Sequence, residues 1–178
     1  EILCNGDIRN FEYFVKILKN KLLHPFEVNK HTKCLVLYGK EGVGKTAQIE
    51  RLFQHAFGIP FVASAVQFKG ATNPTGFTNA LENKLIAIMN EVPEMDFNHR
   101  DMFENFKTMV TDRFRRSRRM FMGETQVINT LLYIATTNNR NAFHVTHTDR
   151  RYFMLECSSI RLGDSKYFDQ LMECIDEH

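Results

Sequence analysis

The chain has 178 residues, 43% hydrophobic and 25% charged, a composition typical of one globular domain with a substantial core. Its net charge at pH 7 is only +2, so contact with nucleic acid requires a local cluster of basic residues. It has no apolar run long enough to span a membrane and no secretory signal pattern, which predicts an intracellular protein that is not secreted. The chain begins at Glu1, and we expect it to be part of a longer protein.

A helix is predicted near the N-terminus, because apolar residues recur there at helical spacing and stop before Pro25. These residues are Phe11, Phe14, Val15, Leu18 and Leu22. We expect a single domain, with residues 1–30 as a helical lead-in, 31–160 as the core and 161–178 as a C-terminal helix. The four cysteines are scattered without C-x-x-C spacing, which predicts reduced thiols.

Residues 35–46 are typical of a buried strand, a glycine-rich turn and the start of a helix. Their spacing fits G-x-x-x-x-G-K-[ST], the phosphate-binding loop. Glycines let the backbone wrap a triphosphate closely, while turn N–H groups point at the anion. We expect Lys45 to contact the β- and γ-phosphates of ATP and the Thr46 hydroxyl to bind Mg²⁺. The predicted nucleotide-binding residues are Gly39, Lys40, Glu41, Gly42, Val43, Gly44, Lys45 and Thr46. The alternative is an ordinary glycine-rich loop with a surface lysine.

Further elements follow the loop. Apolar residues at helical spacing predict a helix that ends at Gly58. Residues 61–66 are typical of a short strand, and residues 70–76 of a loop. Residues 77–81 are expected to form one or two helical turns.

Residues 85–91 predict a central parallel strand, because a continuous apolar run ends there in polar residues. Ligands bind at the carboxyl ends of such strands, so Glu91 is expected in the same crevice as the phosphate loop. There it would orient and deprotonate an attacking water and take part in Mg²⁺ binding. Many such ATPases carry an acidic residue where this chain has Asn90. A solvated glutamate at a strand end is the alternative.

A basic hairpin is predicted after a helix over residues 101–111. Five arginines lie within residues 113–119 beside Phe114, and an extended pattern resumes at 126–129. The turn is expected between Arg118 and Thr125. Clustered arginines beside aromatic side chains favour phosphate pairing and base contact, although a solvated charged face is the alternative. The predicted DNA-binding residues are Arg115, Arg116, Arg118 and Arg119.

Another buried strand, residues 131–138, ends in Asn138, which could contact a γ-phosphate or the attacking water; a turn-forming asparagine is the alternative. Arg150 and Arg151 precede a last strand over residues 152–157. An arginine beside a nucleotide stabilises charge on the transferred phosphoryl group, often from a neighbouring subunit. A helix over residues 164–176 closes the chain.

Together these stretches resemble the superfamily 3 helicases, and more closely the viral and mobile-element primase-helicases of the poxvirus type. Four motifs lie in the family's order over nearly the whole chain: residues 39–46, 85–91, the basic hairpin, and residues 136–138 with 149–151 beyond. The resemblance implies an α/β P-loop NTPase core of the AAA+-like kind, a central mainly parallel sheet flanked by helices, with a β-hairpin insertion. Asn138 is similar to the sensor asparagine, and Arg150 or Arg151 to the arginine finger. Arg151 is slightly favoured as the finger, and the other arginine is then expected to pair with Asp149.

The same resemblance implies an ATP-dependent DNA helicase or translocase of a replication protein. Such a protein hydrolyses ATP with Mg²⁺ and acts as a homo-oligomer, here expected to be a hexameric ring in the full-length protein, in the host cytoplasm or nucleus if viral. The region 113–123 is similar to the hairpin that grips DNA in that ring. Two alternatives stay open: a P-loop kinase of nucleotides or small molecules, and a non-hydrolysing nucleotide-binding assembly module. The arginine hairpin argues against the kinase, and Glu91 against the module.

Overall fold

A computed structural model of the protein describes residues 2–28, 34–73, 79–94, 99–118, 121, 123–143, 145 and 149–177. The helices in these ranges are α1 (Ile8–Leu23), α2 (Lys45–Phe57), α3 (Phe68–Thr72), α4 (Arg100–Thr111) and α5 (Ser165–Glu177). The strands are β1 (Cys34–Tyr38), β2 (Val62–Gln67), β3 (Ile86–Asn90), β4 (Phe114–Arg118), β5 (Glu124–Ile128), β6 (Leu132–Thr137) and β7 (Tyr152–Glu156). Short 3₁₀ turns cover Ile59–Phe61 and Asn79–Leu81.

Five strands form one sheet in the order β2-β3-β6-β1-β7, and every pairing in it is parallel. Strands β3 and β6 and most of β1 are buried, as expected of apolar runs covered on both faces. One core cluster, including Phe103, Phe106 and Tyr133, lies on one side of the sheet. A second, including Ile49 and Phe53, lies on the other. The prediction of an α/β fold with a mainly parallel sheet flanked by helices is confirmed.

Helix α1 forms where predicted, but only part of its predicted apolar face is buried. Phe14 and Lys21 are its buried side chains, whereas Phe11, Val15 and Leu22 are exposed. The Lys21 ammonium donates to the carbonyl of Pro25 at 2.8 Å and to that of Thr130. Two backbone carbonyls therefore accept hydrogen bonds from the buried Lys21, whereas the apolar spacing predicted that Leu22 would be buried.

Strands β4 and β5 form a separate antiparallel hairpin, in which Phe114 lies opposite Ile128 and Arg118 opposite Glu124. The predicted hairpin is confirmed. Part of the turn between the strands, including Arg119, lies outside the described residues. Residues 68–72, which overlap the loop predicted over 70–76, form the short helix α3 instead.

Helix α5 packs on the outside of α2, where Arg51 Nε donates to Asp176 Oδ1 at 2.6 Å. It begins near the phosphate loop, because a Cβ placed on Gly44 would lie 2.8 Å from a ring carbon of Phe168. None of the described helices is long and apolar enough to cross a membrane.

Candidate functional site

The candidate site lies at the carboxyl edge of the sheet, where β1 and β6 end side by side with Tyr38 opposite Thr137. Parallel strands bring their following residues to one edge, so the glycine-rich loop after β1 meets Asn138 after β6. Strand β3 pairs with β6 and ends at the same edge. The structure therefore brings the predicted loop, Asn138 and the end of β3 together.

Backbone geometry in the loop requires glycine at its start. Gly39 has φ +155°, and a Cβ there would lie 2.8 Å from the carbonyl oxygen of Cys157. Gly44, at φ +74°, precedes α2 and makes no side-chain capping bond to it. The N–H groups of the first turn of α2 therefore have no side-chain acceptor at this position, and such a helix start favours an anion.

Lys45 lies at the centre of this loop and is only 7% exposed. Its ammonium donates to Gly39 O at 2.8 Å, Lys40 O at 2.7 Å and Asn138 Oδ1 at 2.9 Å. Burial lowers the pKa of Lys45 from its ordinary value. Because the Asn138 oxygen accepts from Lys45, the amide NH₂ of Asn138 is the group left to donate to a ligand.

Oxygen atoms are grouped beside Lys45. The Thr46 and Thr136 hydroxyl oxygens are 3.2 Å apart, and Asn90 Oδ1 is buried without a hydrogen bond among the described residues. Glu91 follows β3 with φ +53° and an exposed side chain. Oxygen donors of this kind suit Mg²⁺, and the orphaned Asn90 oxygen fits a water of its coordination shell. The described residues contain no group of three His, Cys, Asp or Glu side chains able to hold a metal.

The two candidate arginines lie elsewhere. They precede β7, at the amino edge of the sheet, and five residues of extended strand span roughly 16 Å. Arg151 forms a two-point ion pair with Asp149, whereas Arg150 is exposed. The structure does not bring either arginine to the phosphate loop of its own chain. A role towards the nucleotide of a neighbouring copy stays a prediction, and exposure favours Arg150 for it.

Strand geometry separates the predicted DNA-binding arginines. Arg115 is partly buried and donates from Nη2 to Leu81 O at 2.8 Å, and burial lowers its pKa. Arg116 and Arg118 lie on the opposite face of β4, since successive side chains of a strand alternate. Arg119 lies outside the described residues.

Sequence reasoning missed the contact that Thr136 makes and left two other contributors incompletely assigned. Thr136 was assigned only to a strand, although its hydroxyl contacts Thr46. Asp149 was expected to pair with one of the two arginines, and the structure shows that this arginine is Arg151. Phe114 shares a face with Arg116 and Arg118, and counting two residues per strand period from Phe114 gives that face from the sequence.

Residues 37–151 match DUF5906, described as a family of unknown function. The DNA primase-polymerase of Nitratiruptor phage NrS-1 is 26% identical over 165 residues, which cover 90% of this chain and 22% of that protein. An A-form apo structure of the NrS-1 C-terminal region has a TM-score of 0.74 at 22% identity, covering 97% of this chain and 39% of that one. Another apo structure of that region has a TM-score of 0.69 at 24% identity, covering 93% and 40%.

These relatives overturn the assignment to the superfamily 3 helicases. The predicted function of an ATP-dependent DNA helicase or translocase is wrong, and so are the helicase and hydrolase descriptions attached to it, because the relative is a DNA primase-polymerase. The solved structures share the fold of this chain. The chain spans about a fifth of the length of its curated relative and about two fifths of the solved structures. Since the family match extends over more than half of the sequence, from within β1 to the residue before β7, the chain belongs to the DUF5906 family.

Proposed function

We propose that this chain is the nucleotide-binding part of a DNA replication protein of the primase-polymerase kind. It binds the phosphates of a nucleoside triphosphate, with ATP as the representative ligand, through residues 39–46. The enzyme class indicated by the relative is nucleotidyl transfer, which consumes nucleoside triphosphates on DNA. The strand order, with the glycine-rich loop directly after β1, supports placing the core among the P-loop nucleotide-binding folds.

The observation that carries the proposal is the position of the Lys45 ammonium. Two loop carbonyls and the Asn138 oxygen surround it, so its charge is fixed inside the loop before any ligand arrives. A partly desolvated cation attracts a phosphate more strongly than one in bulk water. The uncapped start of α2 adds N–H donors to the same place. Lys45 would contact the terminal phosphates, and the Asn138 NH₂ group would donate to the same phosphates.

Mg²⁺ fits the oxygen atoms next to Lys45. It would neutralise phosphate charge and set the orientation of the phosphate chain. Thr46 is the residue placed to bind it, with Asn90 and Glu91 acting on its water shell from the end of β3. Asn90 carries no charge, so the site relies on Glu91 for a protein carboxylate.

DNA is the proposed macromolecular partner. The basic hairpin supplies the contact, because Arg116 and Arg118 place two cations on one face of a two-stranded ribbon. Contacts of this kind go to phosphates and are weakened by salt. The name of the relative supports DNA as the polymer.

Thermal unfolding with and without a nucleoside triphosphate and Mg²⁺ tests the proposal. A ligand at about 100 times its Kd stabilises the folded state by about 2.7 kcal/mol. For a chain of this size the Tm rises by roughly 5–10 °C. Lys45→Ala should lose the rise, whereas Lys19→Ala, an exposed change on α1, should keep it. A parent protein whose Tm does not respond to any nucleoside triphosphate would contradict the proposed function.

A further inference from the structure

The two faces of the β4–β5 hairpin meet different surroundings. On one face, Arg115 donates to Leu81 O and the Ser117 hydroxyl donates to Glu82. This face therefore contacts the 79–84 segment, and it borders a separate cavity of about 630 Å³. On the other face, Phe114, Arg116 and Arg118 border a cavity of about 530 Å³. We call this cavity, between the hairpin and helix α4, the hairpin cleft.

The walls of the hairpin cleft combine cationic, aromatic and amide groups. Arginines 113, 115, 116 and 118 border it, against the carboxylates of Asp112 and Glu124. The Phe114 ring is 50% exposed, and the Arg113 guanidinium lies 5.7 Å from its centre. Asn105 on α4 and Gln126 on β5 add side-chain amides. The cleft therefore offers a flat apolar surface beside an excess of positive charge.

A nucleotide unit matches this combination, because it joins a planar base to a negatively charged phosphate. Base–aromatic stacking contributes to binding at each base, and it requires a base that is not stacked in a duplex. A volume of about 530 Å³ lies within the range of about 300–1,000 Å³ typical of small-ligand sites. The Arg116–Glu124 ion pair, at 3.5 Å between exposed groups, is of the kind that contributes little to stability. A phosphate can therefore take the place of Glu124 at little cost.

We propose that the hairpin cleft binds a nucleotide unit of a single-stranded DNA segment, with one base against Phe114 and the flanking phosphates on Arg116 and Arg118. This inference rests on the proposed DNA contact and adds its route: the strand passes between the hairpin and α4. Arg115 also borders the cleft, and its hydrogen bond to Leu81 O fixes the hairpin to the 79–84 segment.

Because the sequence contains no tryptophan, binding in the cleft can be measured through the fluorescence of one introduced there. Phe114→Trp introduces the single tryptophan of that variant, at the cleft, and Phe11→Trp introduces one at a side chain of α1 with similar exposure, 45%. Adding poly-dT should quench the fluorescence of Phe114→Trp by stacking and leave that of Phe11→Trp unchanged. Phe114→Leu should weaken oligonucleotide binding several-fold, and Phe114→Tyr, which keeps an aromatic ring, should restore it.

The charge contribution is tested with the double variant Arg116→Gln/Arg118→Gln. The affinity for poly-dT should fall at least tenfold, and the slope of log affinity against log salt should flatten by about 1.4 for two lost phosphate contacts. The control Arg9→Gln/Lys16→Gln removes the same charge from α1 and should change neither quantity appreciably.

Each contrary outcome has its own meaning. Anisotropy of a labelled oligonucleotide reports binding anywhere on the protein. Absence of any DNA binding would overturn the proposed DNA contact together with the cleft. Tight binding with no quenching of Phe114→Trp, or with full affinity in the arginine double variant, would overturn the cleft alone. Equal quenching by free dTTP at the same nucleotide concentration would show a site for free nucleotides and overturn the strand route.

Discussion

Arg151 and Asp149 form a two-point ion pair, with Nε 2.9 Å from Oδ1 and Nη2 2.7 Å from Oδ2. Asp149 also accepts from the Arg151 backbone N–H at 3.0 Å. The pair closes the turn before β7, and the Arg151 carbonyl accepts from the Cys34 N–H at the start of β1. The pair therefore stabilises the turn that leads into β7, the edge strand next to β1.

Arg151→Gln should lower the free energy of unfolding by about 1 kcal/mol, after allowance for the part of the pair that reaches solvent. The Tm should fall by roughly 2–4 °C at pH 7. Arg150→Gln removes the same charge from an exposed side chain and should shift the Tm much less. Equal shifts in the two variants would contradict a structural role for the pair.

The pH dependence of this difference follows from the Asp149 carboxyl. The hydrogen bonds from Arg151 lower the pKa of Asp149 below its ordinary 3.8. A lowered carboxyl pKa contributes stability above pH 3.8, and that stability is lost as pH falls through the folded-state value. The difference in Tm between the parent and Arg151→Gln should therefore be constant near neutrality and disappear in strong acid.

How far the sequence predicts this molecule depends on which residues interact over long range. Strands β1, β3 and β6 were predictable because each is a continuous apolar run, and the loop after β1 because its glycines follow a fixed spacing. The buried face of α1 was not, since the acceptor that buries Lys21, the Thr130 carbonyl, lies 109 residues away. The hairpin was predicted, but the partner of Arg115 in the 79–84 segment has no signal in the sequence.

Lys21 gives a prediction of its own. Burial lowers the pKa of this side chain to about 8, from 10.5. Between these values the unfolded chain binds more protons than the folded one, so stability rises with pH. From pH 8 to pH 10.5 the parent should therefore gain on the order of 2 kcal/mol relative to Lys21→Met. Urea unfolding of both proteins across this range measures the gain, and parallel curves would contradict it.

Alanine substitutions at Gly39 and Gly163 distinguish the cost of close packing from the cost of backbone conformation. Both have positive φ, but a Cβ on Gly39 would meet the Cys157 carbonyl oxygen at 2.8 Å, while one on Gly163 meets nothing within 4 Å. Gly163→Ala should cost about 1 kcal/mol from φ alone. Gly39→Ala should cost at least about 2 kcal/mol, because the backbone must also move. Denaturant titration compares them, and a smaller loss for Gly39→Ala would show that the loop accepts a side chain.

Glu91 should act through the metal. In Glu91→Gln, nucleotide affinity measured without Mg²⁺ should equal that of the parent, whereas the gain in affinity on adding Mg²⁺ should shrink about tenfold. Glu94→Gln, a change shortly beyond the strand end, is the matched control and should keep the full gain. A variant with the parent's complete Mg²⁺ response would remove Glu91 from the metal site.

Calorimetric titration of ATP with Mg²⁺ tests the central claim most directly, that residues 39–46 bind nucleotide phosphates around Lys45. We expect one nucleotide to bind per chain in the parent and in Lys19→Ala. Lys45→Ala should lose at least about 2–3 kcal/mol of binding free energy, which is roughly a hundredfold in Kd. Binding by Lys45→Ala with the parent's Kd, or no binding by the folded parent, would contradict the claim.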